Sequence, residues 1–94
     1  MSSLVRQHLI FSGTVQNVGF RYEMSRLADL YGVTGWVYNR ADGMVEAQVQ
    51  GSPEAIRLVV DELNQIDHIQ IESIQETTLP VVDGESRFVT RYYD

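Results

Sequence analysis

The chain has 94 residues, 44% hydrophobic and 21% charged, with thirteen acidic side chains against seven basic ones and a net charge of −6. That length predicts one globular domain, residues 1–94, with a single two-layer core and no room for a second. The acidic balance speaks against nucleic acid and anionic membranes as partners, because both are bound by neutralising many phosphates. All seven basic residues are arginine, so lysine chemistry such as a Walker-A phosphate loop or a Schiff base is excluded. With no cysteine there is no disulfide, thiolate nucleophile or Cys-based metal site. The N-terminal M-S-S-L-V-R-Q lacks the apolar run of a signal peptide, and no stretch approaches the roughly 20 apolar residues of a spanning helix. A cytoplasmic protein is expected.

Val5 to Ser12 reads as a strand, with Val5, Leu9 and Phe11 on one face and Arg6, His8 and Ile10 on the other. An isoleucine on the polar side predicts pairing on both edges. From Arg21 to Tyr31 the residues Met24, Leu27, Ala28 and Tyr31 fall at i, i+3, i+4 and i+7, the stripe of an amphipathic helix, and Gly32 follows as a C-terminal cap. Val33 to Arg40, containing Trp36, is a second strand. Ala41-Asp42-Gly43 is a hairpin turn, and Met44 to Gln50 alternates as a third strand. Ser52-Pro53 starts a second helix, with a cap hydroxyl and Pro at the first helical position; Ile56, Val59, Val60 and Leu63 repeat the stripe. His68 to Thr78 is strand-like but changes phase near Glu72-Ser73, which predicts a bulge. Pro80 to Ser86 is a loop, and Arg87 to Tyr93 a last strand.

Although five segments read as strands, the order is taken as the four-strand β-α-β-β-α-β. Right-handed crossovers then predict an α+β, ferredoxin-like sandwich, a four-stranded antiparallel sheet with two helices on one face. Val33–Arg40 and either Arg87–Tyr93 or its neighbour are expected at sheet edges, where a second copy can extend the sheet, although a monomer is the expected state. The fold hosts many functions, so the site must supply the argument.

The stretch from Gly13 to Met24 carries the first candidate site. A strand ends at Gly13 and a helix begins near Arg21, with small and amide side chains between them. The unpaired N–H groups and positive dipole end of a helix favour an anion there. Arg21 adds a rigid fork of donors matched to phosphate or carboxylate. A plain strand–helix turn followed by a surface arginine explains the same local pattern. Asn39, near the end of the second strand, reads by itself as a turn-starting residue.

Other candidates are weaker. His8 lies mid-strand and His68 opens a distant one, so both read as structural or exposed. Asp61, Glu62, Asp67, Glu72 and Glu76 are scattered as a solvated acidic face, without metal-ligand spacing. Trp36, Tyr92 and Tyr93 would suit base stacking in a single-stranded RNA binder of this fold, but the charge favours a packing role. Ser12 and Ser25 have no nearby histidine to make either a nucleophile.

Taken together, G-x-V-Q-x-V-x-F-R (Gly13 to Arg21), T-G-W-V-Y-N (Thr34 to Asn39), D-G-x-V-E (Asp42 to Glu46) and V-Q-G (Val49 to Gly51) resemble the acylphosphatase family. The agreement is motif by motif from Gly13 to Gly51 and one of layout beyond. The resemblance implies the ferredoxin-like fold and hydrolysis of the carboxyl–phosphate bond of acyl phosphates to carboxylate and inorganic phosphate, with no metal, cofactor or covalent intermediate. It implies Arg21 as the phosphate-binding arginine, Asn39 as the water-orienting asparagine, and Gln16, Asn17, Val18, Gly19 and Phe20 with Arg21 as the substrate-binding loop. The family loop reads V-Q-G-V where this chain reads V-Q-N-V, so Asn17 is expected to hold a left-handed backbone in a glycine's place. A non-catalytic anion-binding module on the same fold is the alternative, with a nucleic-acid binder disfavoured by Arg21 and Asn39.

Overall fold

The computed structural model describes residues 3–92. Tyr93, expected in the last strand, lies outside the described residues, as do Met1 and Ser2. The elements in chain order are β1 (Val5–Thr14), α1 (Phe20–Tyr31), β2 (Thr34–Asn39), β3 (Val45–Gly51), α2 (Pro53–Leu63), β4 (Gln70–Leu79) and β5 (Phe88–Arg91).

Both helices form where the apolar stripes place them. Met24, Leu27 and Ala28 of α1 and Ile56, Val59 and Leu63 of α2 are buried against Leu9, Phe11, Val37, Val45, Ala47 and Val49 of the sheet. Ser52 caps α2 by accepting the Ala55 N–H at 3.1 Å, a contact worth about 1 kcal/mol. Gly32 ends α1 in a left-handed conformation, φ 73°.

The sheet order is β4-β1-β3-β2-β5, and this corrects the expected topology. All five segments read as strands form and join one sheet, where the expected sheet counted four. The chain leaves β4 at one edge, crosses to the other and pairs β5 with β2 in parallel, from Gly35–Phe88 to Tyr38–Arg91. The remaining pairs are antiparallel, so the ferredoxin-like α+β frame stands with one strand added. Val33–Arg40 is therefore an interior strand, and the edges are β4 and β5. β1 pairs on both sides, with β3 and β4, as Ile10 predicts.

The bulge also falls as expected. The β1–β4 register runs Ser12–Ser73 and then Gly13–Ile71, leaving Glu72 as the extra residue. Gly13 is what permits this. Its φ is 123°, and a Cβ there would lie 2.2 Å from the Gln70 carbonyl oxygen.

The sheet face away from the helices is polar. Arg6, only 3% exposed, donates to Gln48 (2.8 Å), Gln50 (3.1 Å) and Glu85 (2.8 Å). Gln50 accepts from the Val82 N–H (2.8 Å) and donates to the Val82 carbonyl (2.9 Å), as a neighbouring strand would. These side chains fasten the crossing segment 80–87, which delivers β5 to β2.

Candidate functional site

The loop between β1 and α1 is pinned at both ends by apolar side chains. Val15 is buried, and the buried Phe20 ring lies 4.9 Å from that of Phe11, centroid to centroid. Between these anchors Asn17 (φ 63°) and Gly19 (φ 76°) are left-handed, as the V-Q-N-V reading expects of Asn17. Left-handed residues either side of Val18 give the backbone pattern that gathers successive N–H groups into a concavity. Among the described residues the N–H groups of Gln16 to Gly19 donate to no protein acceptor. The helix adds more free donors. Its first bond runs from the Glu23 N–H to the Gly19 carbonyl at 3.0 Å, so the Phe20, Arg21 and Tyr22 N–H groups lack intrahelical partners.

Gln16 contributes differently from its loop neighbours. Its side-chain amide donates to the carbonyls of Arg40 (2.7 Å) and Met44 (2.9 Å), on either side of the β2–β3 turn. The loop is thus stapled to the strand end that carries Asn39. Val18 is partly buried against the core and Phe20 fully buried, so these two residues offer an anion only their backbone.

Arg21 stands on the first turn of α1. Its Nη1 donates to the Arg91 carbonyl at 3.2 Å, and its guanidinium carbon lies 4.6 Å from the Tyr92 ring centroid. Arg6, Arg26 and Arg40 each pair with a carboxylate, whereas Arg21, like Arg57, Arg87 and Arg91, has none among the described residues, and of these four it alone lines the main cleft. Its positive charge is left uncompensated. Asn39 closes β2, and its side-chain oxygen is buried with no hydrogen-bond partner. An orphaned buried acceptor costs about 1–3 kcal/mol and marks a place for a missing donor.

Asn17, Gly19, Arg21, Asn39 and Tyr92 share the wall of one cleft of about 540 Å³. A second, shallower cleft adjoins it through Asn39 and Tyr92 and includes Gln16, Tyr38 and Arg40. The structure therefore brings the loop, Arg21 and Asn39 together. His8 lies in neither cleft; its Nε2 is 2.6 Å from Glu46 on the outer face. Ser12 bonds Ser73 across β1 and β4, while Ser25 lines the main cleft without a histidine beside it. Trp36 packs on the outer face, between Tyr38 (5.6 Å) and the Arg91 guanidinium (4.5 Å), and not in the core.

The acids of the second cleft are held ionised. Asp42 lies below its ordinary range chiefly through the Met44 N–H, with burial opposing and Arg40 assisting. Burial presses the Glu46 carboxyl upward, but hydrogen bonds from His8 and Tyr38 and the charges of His8 and Arg40 outweigh it, so it too stays low. No group of three or more His, Asp or Glu side chains suited to a metal occurs among the described residues.

Sequence reasoning missed the third wall, which is the end of β5. Thr90, the Arg91 carbonyl and Tyr92 all face Arg21 or its cleft. The parallel pairing explains their presence. Asn39 and Tyr92 each follow the last registered pair, Tyr38–Arg91, so both strands deliver their ends to the same rim. A five-strand topology would have indicated this, because parallel neighbours end at the same side of a sheet.

A family model described as Acylphosphatase matches residues 7–90. An acylphosphatase of Bifidobacterium longum is 36% identical over 92 residues, covering 92% of this chain and 90% of that one. One of Nitrobacter winogradskyi is 39% identical over 94 residues, covering 94% of each. The crystal structure of acylphosphatase from Bacillus subtilis is similar with a TM-score of 0.85 at 32% identity, covering 94% of this chain and 99% of that one.

Proposed function

The chain belongs to the acylphosphatase family, enzymes that hydrolyse acyl phosphates, and from that premise we propose that Arg21 and Asn39 carry the reaction in the 540 Å³ cleft. The loop N–H groups from Gln16 to Phe20 and the Arg21 fork hold the phosphoryl oxygens. Asn39 accepts a hydrogen bond from one water and aims its lone pair at phosphorus. The new water–phosphorus bond forms as the bond from phosphorus to the bridging oxygen breaks, and the electron pair leaves with the carboxylate. Inorganic phosphate is the other product, and the water's proton passes to it or to solvent. A carboxylate is a good leaving group, so positioning and charge stabilisation suffice without a strong base or a metal.

The observation that most favours this assignment is the unpartnered Asn39 oxygen. The free Arg21 charge in the same cleft supports the same reading. Benzoyl phosphate turnover, followed by loss of ultraviolet absorbance in excess chelator, is the direct test. Hydrolysis inhibited by inorganic phosphate is expected; phosphate binding with no turnover would make the chain a non-catalytic anion-binding module.

A monomeric, cytoplasmic enzyme completes the proposal. The exposed β4 edge carries Glu72 and Glu76, whose like charges discourage edge-to-edge pairing with a second copy. No described helix is long and apolar enough to cross a membrane. Sedimentation at several concentrations and cell fractionation test the two statements.

A further inference from the structure

We infer that Tyr92 sets the acyl preference of the cleft, serving as a platform that favours flat, ring-bearing acyl groups over short aliphatic ones. The inference rests on the hydrolytic reading above and concerns the part of the substrate that the loop and Arg21 do not hold. A cleft of about 540 Å³ leaves ample room beyond a phosphoryl group and one water, whose share of liquid volume is about 30 Å³. The remaining space must receive the acyl group.

Tyr92 is the aromatic side chain placed to meet it. Its ring lines both clefts, lies 4.6 Å from the Arg21 guanidinium and is 75% exposed, so it is held on the Arg21 side and open elsewhere. Of the other rings lining the main cleft, Phe20 is committed to the core against Phe11, and Tyr22 lines that cleft alone, whereas Tyr92 borders both clefts and stacks on Arg21. A phosphoryl group held by Arg21 is held beside the Tyr92 ring, and aromatic rings attract one another at centroid separations of about 4.5–7 Å. With Arg21 engaged by the phosphoryl group, the acids Asp29, Asp42 and Glu46 outnumber the remaining arginines of the two clefts, Arg26 and Arg40, so the lining offers no surplus positive charge to a second anion. A neutral ring suits this surface best.

The test compares kcat/KM for benzoyl phosphate and acetyl phosphate, with inorganic phosphate as inhibitor, in wild type, Tyr92→Leu and Tyr92→Phe. Tyr92 is exposed, so both variants are expected to fold. In Tyr92→Leu the benzoyl-to-acetyl ratio should fall by about two- to tenfold, the range measured for ring pairs, while phosphate inhibition changes little. Tyr92→Phe should keep the wild-type ratio. An unchanged ratio in Tyr92→Leu overturns the inference. If both substrates and phosphate inhibition then weaken together, Tyr92 acts only through Arg21. Wild type inactive on both substrates would instead refute the hydrolytic reading, and the inference with it.

Discussion

Arg6 and Glu85 stand 79 positions apart in the chain and meet at 2.8 Å on the outer face of the sheet. This ion pair, with Gln50 holding Val82, ties down the segment that carries β5 to the site. Burial presses the Glu85 carboxyl upward, but the hydrogen bonds from Arg6 and Thr34 and the Arg6 charge hold it below its ordinary value of 4.5. A carboxyl depressed in the folded state stabilises fully above its unfolded pKa, and that contribution disappears as pH falls through the lower folded value. Glu85→Gln leaves the buried guanidinium without its counter-charge and should cost about 2 kcal/mol or more at neutral pH. It should also flatten the fall in stability below about pH 4.5. Urea melts of both proteins across that range check it; parallel pH curves would count against the pair's role.

Gly13→Ala tests the join between β1 and the loop. The added Cβ would sit 2.2 Å from the Gln70 carbonyl and 2.8 Å from the Glu72 nitrogen, both backbone atoms of the β4 bulge that have little freedom to shift. A cost of about 3 kcal/mol or more is expected, and a melting temperature lower by more than about 10 °C. A drop under about 3 °C would mean that the bulge yields easily.

The parts of this architecture differ in how far local sequence betrays them. α1 and α2 are legible because stripe and punctuation agree, from Ser52-Pro53 at one start to Gly32 at the other end. The bulge is legible because its extra residue, Glu72, shifts the alternation of β4. The place of β5 is not. Its partner lies some fifty residues upstream, and what directs it there is a set of tertiary bonds from Arg6 and Gln50 to a loop of unremarkable composition. The four-strand reading therefore hid the site's third wall. Asn17's left-handed backbone follows from residue type in a motif, whereas the orphaned oxygen of Asn39 depends on what its neighbours leave unpaired.

Asn17 departs from the family's glycine yet keeps the geometry, with φ 63°. Asn17→Gly should preserve benzoyl phosphate turnover or raise it modestly, because the strain relieved is on the order of 1 kcal/mol. Asn17→Val should lose activity, since a β-branched residue resists positive φ and would turn the loop N–H groups away. Steady-state kinetics on both variants decide the point. Loss of activity in Asn17→Gly would show that the amide side chain itself takes part in binding.

Asn39→Ala separates water from phosphate. It should lower kcat strongly while inorganic phosphate inhibits with nearly unchanged affinity, because the orphaned oxygen is assigned to the water. An equal loss in both would move Asn39 into the anion cradle.

The central claim is that the uncompensated Arg21 charge holds the transferring phosphoryl group, and the rate of benzoyl phosphate hydrolysis by Arg21→Gln tests it most directly. Glutamine removes the charge and the fork, and the one hydrogen bond lost to protein, at 3.2 Å to the Arg91 carbonyl, is exposed, so the fold should remain. A fall in rate of on the order of 10³ or more, with phosphate inhibition abolished, is the expected result. A folded Arg21→Gln protein that retains more than about a tenth of the wild-type rate would contradict the account.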